Sequence, residues 1–358
     1  MTCSVSVIIP VFNGDSTLEA CLDSVFRTLG VPCECIVVDD GSKDATLEVL
    51  RRRFADEPRV SILTQPNAGK SAALSNGIRH AQYDILIAVD ADTLFRPGTI
   101  GLLARHFSNP KVGAVSGNAR VGNKKNWITR FQSIEYIYGF NLDRRALDYL
   151  NAITVVPGAV GAWRKQLVVD AGGFLHDTLA EDTDLTLAIR RMGYVIRYEQ
   201  DAIAYTEAPE DTRNLAKQRF RWVFGTLQAV WKHRDALFVP EYGTLGFVAL
   251  PSIWIFQVLL SFLSPFAEIA MILSLVAGDW RIVVLYYLGF FGVELVTGFL
   301  AYALEGVPAW DLTLLFFQGI YYRQLMLYVL GKSFLFAMRG RLVGWGKMER
   351  KATVTQPG

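Results

Sequence analysis

Residues 244–338 form a stretch of 95 with only eight charged side chains, and this constrains the chain more than any other feature; the other 263 residues hold 62 of the 70 charges. A stretch so poor in charge offers little surface for water to solvate. With 51% hydrophobic residues and a mean hydropathy of +0.25, the chain is expected to pair a polar domain with one in lipid contact. Three apolar blocks are visible, at residues 245–277, 282–304 and 312–338. Each is long enough to cross a hydrocarbon core of ~30 Å at about 1.5 Å per residue. Pro251 and Pro265 lie in the first block, so a kink or a return at 264–265 is expected there.

Flanking charge predicts orientation. Lys217, Arg219, Arg221, Lys232 and Arg234 precede the blocks, and Arg339, Arg341, Lys347, Arg350 and Lys351 follow them, so both flanks read as cytoplasmic. Residues 305–311 hold no Lys or Arg and are expected on the far side. An even number of crossings satisfies both: the first block dips back or lies in the interface, and the next two span. The expected organisation is a cytosolic domain at 1–216, an amphipathic interface helix at 217–243, transmembrane helices at 244–338 and a cytoplasmic tail at 339–358. The polar domain would then face the cytoplasm from a multi-pass position in the cell membrane.

A net charge of +2 argues against nucleic acid as a partner. The cysteines Cys3, Cys21, Cys33 and Cys35 read as free thiols of a reducing compartment. His80, His106, His176 and His233 lack metal-ligand spacing. No secretory leader is expected, because a strand pattern begins at Val5.

In the first half, short β-branched runs such as SVSVIIPVF, ECIVVDD and YDILIAVD alternate with helical patterns. That alternation predicts an α/β fold, a doubly wound and mostly parallel sheet with its ligand beyond the carboxyl ends of the strands. Polar groups at strand ends are therefore candidates. Asp39 and Asp40 open an Asp-Asp-Gly-Ser sequence that reads either as a turn with a helix cap or as a ligand contact. Asp90 and Asp92 follow a strand at a spacing that aims both carboxylates one way, an arrangement suited to Mg²⁺ or Mn²⁺ with a substrate phosphate. Lys70 follows Asn67-Ala68-Gly69 but is no P-loop lysine, since Thr64 stands where that motif needs glycine.

Glu181, Asp182 and Asp184 open another helix. Asp182 falls in line with Leu185, Ile189 and Met192, so it is either a general base or a helix cap. Gln218, Arg219, Arg221 and Trp222 read either as a membrane-surface belt or as a diphosphate clamp beside an aromatic sugar platform.

Taken in order, Asp39-Asp40-Gly41-Ser42, Asn67 to Lys70, Asp90-Ala91-Asp92, the segment from Pro157 to Arg164, Glu181-Asp182 and Gln218 to Trp222 resemble the processive family 2 glycosyltransferases. That group contains hyaluronan, chitin, cellulose and poly-N-acetylglucosamine synthases. The resemblance implies a Rossmann-like GT-A domain followed by an α-helical membrane domain. It implies that Asp39 and Asp40 hold uridine, Lys70 meets the nucleotide, and Asp90 and Asp92 hold Mg²⁺ or Mn²⁺ with the diphosphate. Asp182, beside Glu181, would be the base. Gln218 and Arg221 would meet the diphosphate, Trp222 the acceptor sugar, and the loop containing Gly158 the acceptor end.

The implied reaction is inverting transfer from a UDP-sugar, of the UDP-GlcNAc or UDP-glucose type, to a β-linked polysaccharide. Members of the group carry transmembrane helices ahead of the catalytic domain and none is visible here, so a partner subunit or a longer parent chain is expected. Two alternatives remain: transfer of one sugar to a polyprenyl-phosphate or other lipid acceptor, and a nucleotide-binding scaffold without turnover.

Overall fold

The computed structural model describes residues 4–28, 31–278, 280–338 and 353–354. Strands β1 (Val5–Val11), β2 (Cys33–Asp39), β3 (Val60–Thr64), β4 (Ile85–Ala88), β5 (Leu94–Phe95), β6 (Val112–Val121), β7 (Gly161–Arg164) and β8 (Val195–Thr206) form one sheet. Its order is β3-β2-β1-β4-β7-β6-β8-β5. The half from β3 to β4 is parallel, as the alternation predicts. Beyond β4 the sheet is mixed, because β7 inserts antiparallel to both β4 and β6, and β5 runs antiparallel to β8.

Helices α1 (Leu18–Phe26), α2 (Thr46–Phe54), α3 (Lys70–His80), α4 (Thr99–Arg105), α5 (Trp127–Glu135), α6 (Leu142–Tyr149), α7 (Lys165–Asp170), α8 (Glu181–Arg191) and α9 (Thr212–Lys232) surround it. Successive residues of a strand face opposite sides, so β1 and β2 serve two cores. Val5, Val7, Ile9 and Val11 pack with α1, α2 and α4, while Ile8, Ile36 and Val38 pack with α3, α7 and α8. On α1 the spacing of Leu18, Cys21, Leu22 and Val25 puts all four on one buried face. Aliphatic strands covered on both faces form the middle of a three-layer α/β domain.

The carboxyl-terminal third departs from expectation. Its first block is helical from residue 245 to 276. Two π-helical stretches, Leu245–Ala249 and Ile253–Leu259, bracket α10 (Leu250–Ser252), where Pro251 cannot donate. α11 (Leu260–Val276) then continues through position 265 with no return turn. α12 (Trp280–Glu305) runs back, and among the described residues it alone is long and apolar enough to cross a membrane. On α12 only Gly298, Ala301, Tyr302 and Glu305 are buried, and Ile282, Leu285, Leu288, Val293 and Val296 all face outward. α13 (Leu315–Met338) packs against α5 and α9 through Tyr322, Leu325 and Val329.

The expectation that residues 305–311 lie across a membrane from the catalytic domain is overturned. Glu305 pairs with Arg120 and Arg145, both at 2.7 Å, and Asp311 approaches Lys124 at 3.3 Å and Arg130 at 3.4 Å. The segment needs no lysine or arginine of its own, since its acids meet cations of the α/β domain. Helix α9, expected at 217–243, begins at Thr212, where the Asp211 side chain caps it, and ends at Lys232. Of the tail expected at 339–358, only Thr353 and Val354 lie within the described residues.

Glu305 has a side chain only 1% exposed and also accepts from Asn118 at 2.7 Å, so it neutralises two arginines in a dry place. Glu305→Gln should destabilise the protein by about 3 kcal/mol, because it leaves the partly buried charges of Arg120 and Arg145 without their shared carboxylate. Thermal melting in detergent tests this, and an unchanged melting temperature would show that the cluster contributes nothing.

Candidate active site

The chemistry-bearing residues gather where α3, the turn after β4, the start of α8 and the middle of α9 converge. Asp40 prepares one wall. Its carboxylate accepts from Gln65 Nε2 (2.8 Å), Ala68 N (2.9 Å), Asn67 Nδ2 (3.0 Å) and Gly69 N (2.8 Å), shaping the loop that leads to Lys70. Gly41 makes the closure possible: its φ is +72°, and a Cβ there would come within 2.9 Å of Asn67 N. Asp39 accepts from Ser42 N at 3.2 Å.

Lys70 projects from the first position of α3 and holds Asp90 Oδ1 at 2.6 Å, with Glu181 Oε1 at 3.9 Å. Burial opposes its charge, yet Asp90 and Glu181 hold its pKa above the ordinary lysine value. β4 ends at Ala88, so Asp90 and Asp92 sit in a turn closed by Thr93 N donating to Asp90 O at 2.9 Å. The extended spacing assumed from the sequence is thus corrected, although both aspartates line the same cavity as Lys70.

The stripe argument for Asp182 also needs correction. Met192 is exposed, while Thr183, Asp184, Leu185, Thr186 and Leu187 are all buried, so α8 is enclosed on most sides and carries no single apolar stripe. What separates its acids is their partners. Asp184 receives Lys232 at 2.8 Å and His233 at 3.0 Å. Although burial acts against its charge, these bonds hold its pKa below the usual range. Asp182 and Glu181 instead line the cavity. Burial raises Asp182 above the ordinary carboxylate value and lifts Glu181 to about 7; the Lys70 ammonium opposes both shifts.

α9 supplies the opposite wall. Gly225 lets it approach: a Cβ there would lie 2.5 Å from Ala180 N and 2.8 Å from Ala180 Cβ. Gln218, Arg221 and Trp222 all line the cavity, and Trp222 meets Phe140 edge-on at 5.9 Å. Arg219 is buried, bonded to Gln218 Oε1 at 2.8 Å, paired with Glu135, and 4.3 Å above the Trp222 ring. The cavity, about 580 Å³, brings together Lys70, Asp90, Asp92, Gly158, Glu181 and Asp182 with that wall, but does not include Asp39 or Asp40.

Sequence reading missed several lining residues. Asp143 and Arg144 sit in a polar stretch that resembles a solvated helix, and Phe256, Gln257 and Met326 come from apolar blocks read only for membrane length. The donor set suits a divalent cation. Asp90 and Asp92 offer two hard oxygens, and among the described residues no third His, Cys, Asp or Glu joins them, which leaves room for phosphate and water ligands.

Residues 6–167 match the family model described as Glycosyl transferase family 2. These 162 of the chain's 358 residues are similar to family 2 glycosyltransferase domains. The chain is similar to the poly-beta-1,6-N-acetyl-D-glucosamine synthase of Staphylococcus aureus (strain COL), 29% identical over 261 residues, covering 72% of this chain and 63% of that one. It is also similar to the synthase of the same name from Staphylococcus epidermidis, 30% identical over 222 residues, covering 62% and 54%. The chain thus spans less than two thirds of the length of these curated relatives. Among solved structures, mannosyltransferase PcManGT from Pyrobaculum calidifontis, in complex with GDP-Man and Mn²⁺, superposes with a TM-score of 0.70. At 22% identity, that match covers 94% of this chain and 88% of the neighbour, and it shows a shared GT-A-like α/β fold.

Glu181 gives a prediction for pH. Its pKa is about 7 in the fold against 4.5 unperturbed, so its contribution to stability is complete below pH 4.5 and is lost as pH rises through about 7. Glu181→Gln should therefore flatten the fall in melting temperature across that window in chelator-treated protein. Superimposable wild-type and variant profiles would refute the burial account.

Proposed function

We propose that this chain is an inverting glycosyltransferase that moves a sugar from a UDP-sugar to a growing neutral β-linked polysaccharide at a membrane surface. One observation carries the reading. A single cavity joins the paired carboxylates Asp90 and Asp92, the elevated carboxylate Asp182 and a wall containing Trp222. Direct displacement at an anomeric carbon needs those three things: a place for the departing diphosphate, a base, and a platform for the acceptor.

Asp90 and Asp92 would hold Mg²⁺ or Mn²⁺, which when bound offsets the charge of the leaving diphosphate. Lys70, Gln218 and Arg221 orient that group, with Asp39 and Asp40 shaping the nucleotide end of the site. Asp182 takes the proton from the acceptor hydroxyl, supported by Glu181, while Gly158 and Trp222 bound the acceptor. An α-linked donor thus gives a β-linkage.

The outward apolar faces of α11 and α12 support a helical hairpin dipped into the cell membrane, leaving and returning on the cytoplasmic side with α13 held against the domain. That assigns the even number of crossings to the first two blocks. A partner subunit, or further chain, would complete an export path.

A second reading, transfer to a lipid phosphate, is favoured by Phe256 and Met326, which bring the apolar helices to the cavity wall. Labelled UDP- and GDP-sugars given to the membrane-embedded protein, with sizing of the product, separate the two. Long polymer from a UDP-sugar supports the first, and a singly glycosylated lipid would replace it. Activity should vanish in chelator and return with Mg²⁺ or Mn²⁺. Asp182→Asn should keep donor affinity but lose on the order of 10²–10⁴ in rate. If Asp184→Asn is instead the inactive variant while Asp182→Asn turns over, the base is misassigned.

A further inference from the structure

Arg144 lines the active-site cavity from α6, is only 9% exposed, and has no hydrogen-bond partner for Nε or Nη1. A guanidinium cannot discard its charge, and a buried one with free N–H groups calls for an oxygen acceptor. Its neighbours do not supply one: the Phe140 ring lies 5.8 Å away, and Tyr198, Tyr136, Asp182 and Asp143 act on it only through space. By contrast, Lys70 and Arg219, which line the same cavity, are both ion-paired. Asp182 lies close enough to act on Arg144, and the cavity that both line also includes Thr154, Pro157 and Gly158.

Building on the glycosyl-transfer reading above, we infer that Arg144 binds the acceptor, donating Nε–H and Nη1–H, which lie on different edges of the guanidinium, to two separate oxygens of a neutral sugar so that a third hydroxyl meets Asp182. Two features fix the ligand class. A bidentate oxyanion needs two parallel N–H groups on one edge, Nε with Nη2 or Nη1 with Nη2, whereas the unpartnered Nε and Nη1 of Arg144 point apart and suit the separated hydroxyls of a sugar. Acidic side chains lining the cavity outnumber basic ones eight to four, and the cation proposed at Asp90 and Asp92 answers the donor's diphosphate, so a second phosphate on the acceptor would meet excess like charge while a polyol would not. Arg144 is thus a specificity residue for uncharged acceptors, distinct from the groups assigned to the donor.

The test extends a short β-1,6-linked N-acetylglucosamine oligomer by full-length protein in membranes, comparing wild type, Arg144→Lys and Arg144→Gln. Both variants should raise the acceptor KM about tenfold or more, the loss expected for hydrogen bonds to a charged group, while the donor KM stays within about twofold. Arg144→Lys keeps the charge but cannot span two oxygens, so it should not rescue. It also decides the matter should Arg144→Gln fail to fold. A wild-type acceptor KM in Arg144→Lys, with the oligomer still extended by the native enzyme, overturns the role of Arg144 alone. Glycosylation of polyprenyl phosphate by the wild type, with no extension of the oligomer, overturns both this inference and the polysaccharide reading.

Discussion

A single buried ammonium holds the catalytic elements together. Lys70 starts α3, bonds Asp90 in the turn after β4, faces Glu181 at the start of α8, and lies 2.6 Å from where a Cβ on Gly158 would be. Each of those elements comes from a different part of the chain, and each brings a carboxylate or a close-packed backbone that would be unfavourable without the cation. The position of Lys70 rests in turn on Asp40, whose saturated carboxylate fixes the preceding loop. Asp40 thus acts on the site through Lys70, at one remove from the cavity.

Charge in the cavity is divided by partnership more than by residue type. Asp184 and Asp182 lie two positions apart on one helix, yet the first is neutralised by Lys232 and His233 and the second faces the cavity. Their pKa values consequently move in opposite directions. Separation of this kind lets one acid serve as a strut while its neighbour stays open to the proton transfer proposed for it.

How far the sequence can be read follows from the range of the interactions. The parallel half of the sheet was legible because β1, β2 and β4 are aliphatic runs ending in polar turns. β7, Gly-Ala-Trp-Arg, carries no β-branched residue; it is a strand only because β4 and β6 pair with it, which is a long-range condition. The aspartates of the cavity could be found from motif and strand position, but the local geometry assumed for Asp90, Asp92 and Asp182 was wrong, since turns and tertiary enclosure override simple periodicity. Arg144 gave no signal, because its surroundings (Asn141 to Tyr149) read as a solvated face. Glu305 and Arg120 meet across 185 residues, a separation that leaves no local pattern.

The way the last third is attached also bears on how the protein can be divided. Glu305 lies between two arginines of the α/β domain, Leu245, Ala249 and Leu250 share a core with Leu187 and Val230, and α13 covers apolar side chains of α5 and α9. Removing the chain from residue 244 onward would therefore expose two hydrophobic seams and leave two partly buried cations without their shared counter-ion. The apolar segment is a structural part of the catalytic body, not a detachable anchor, so a soluble fragment cut at the charge boundary would lack part of its own interior.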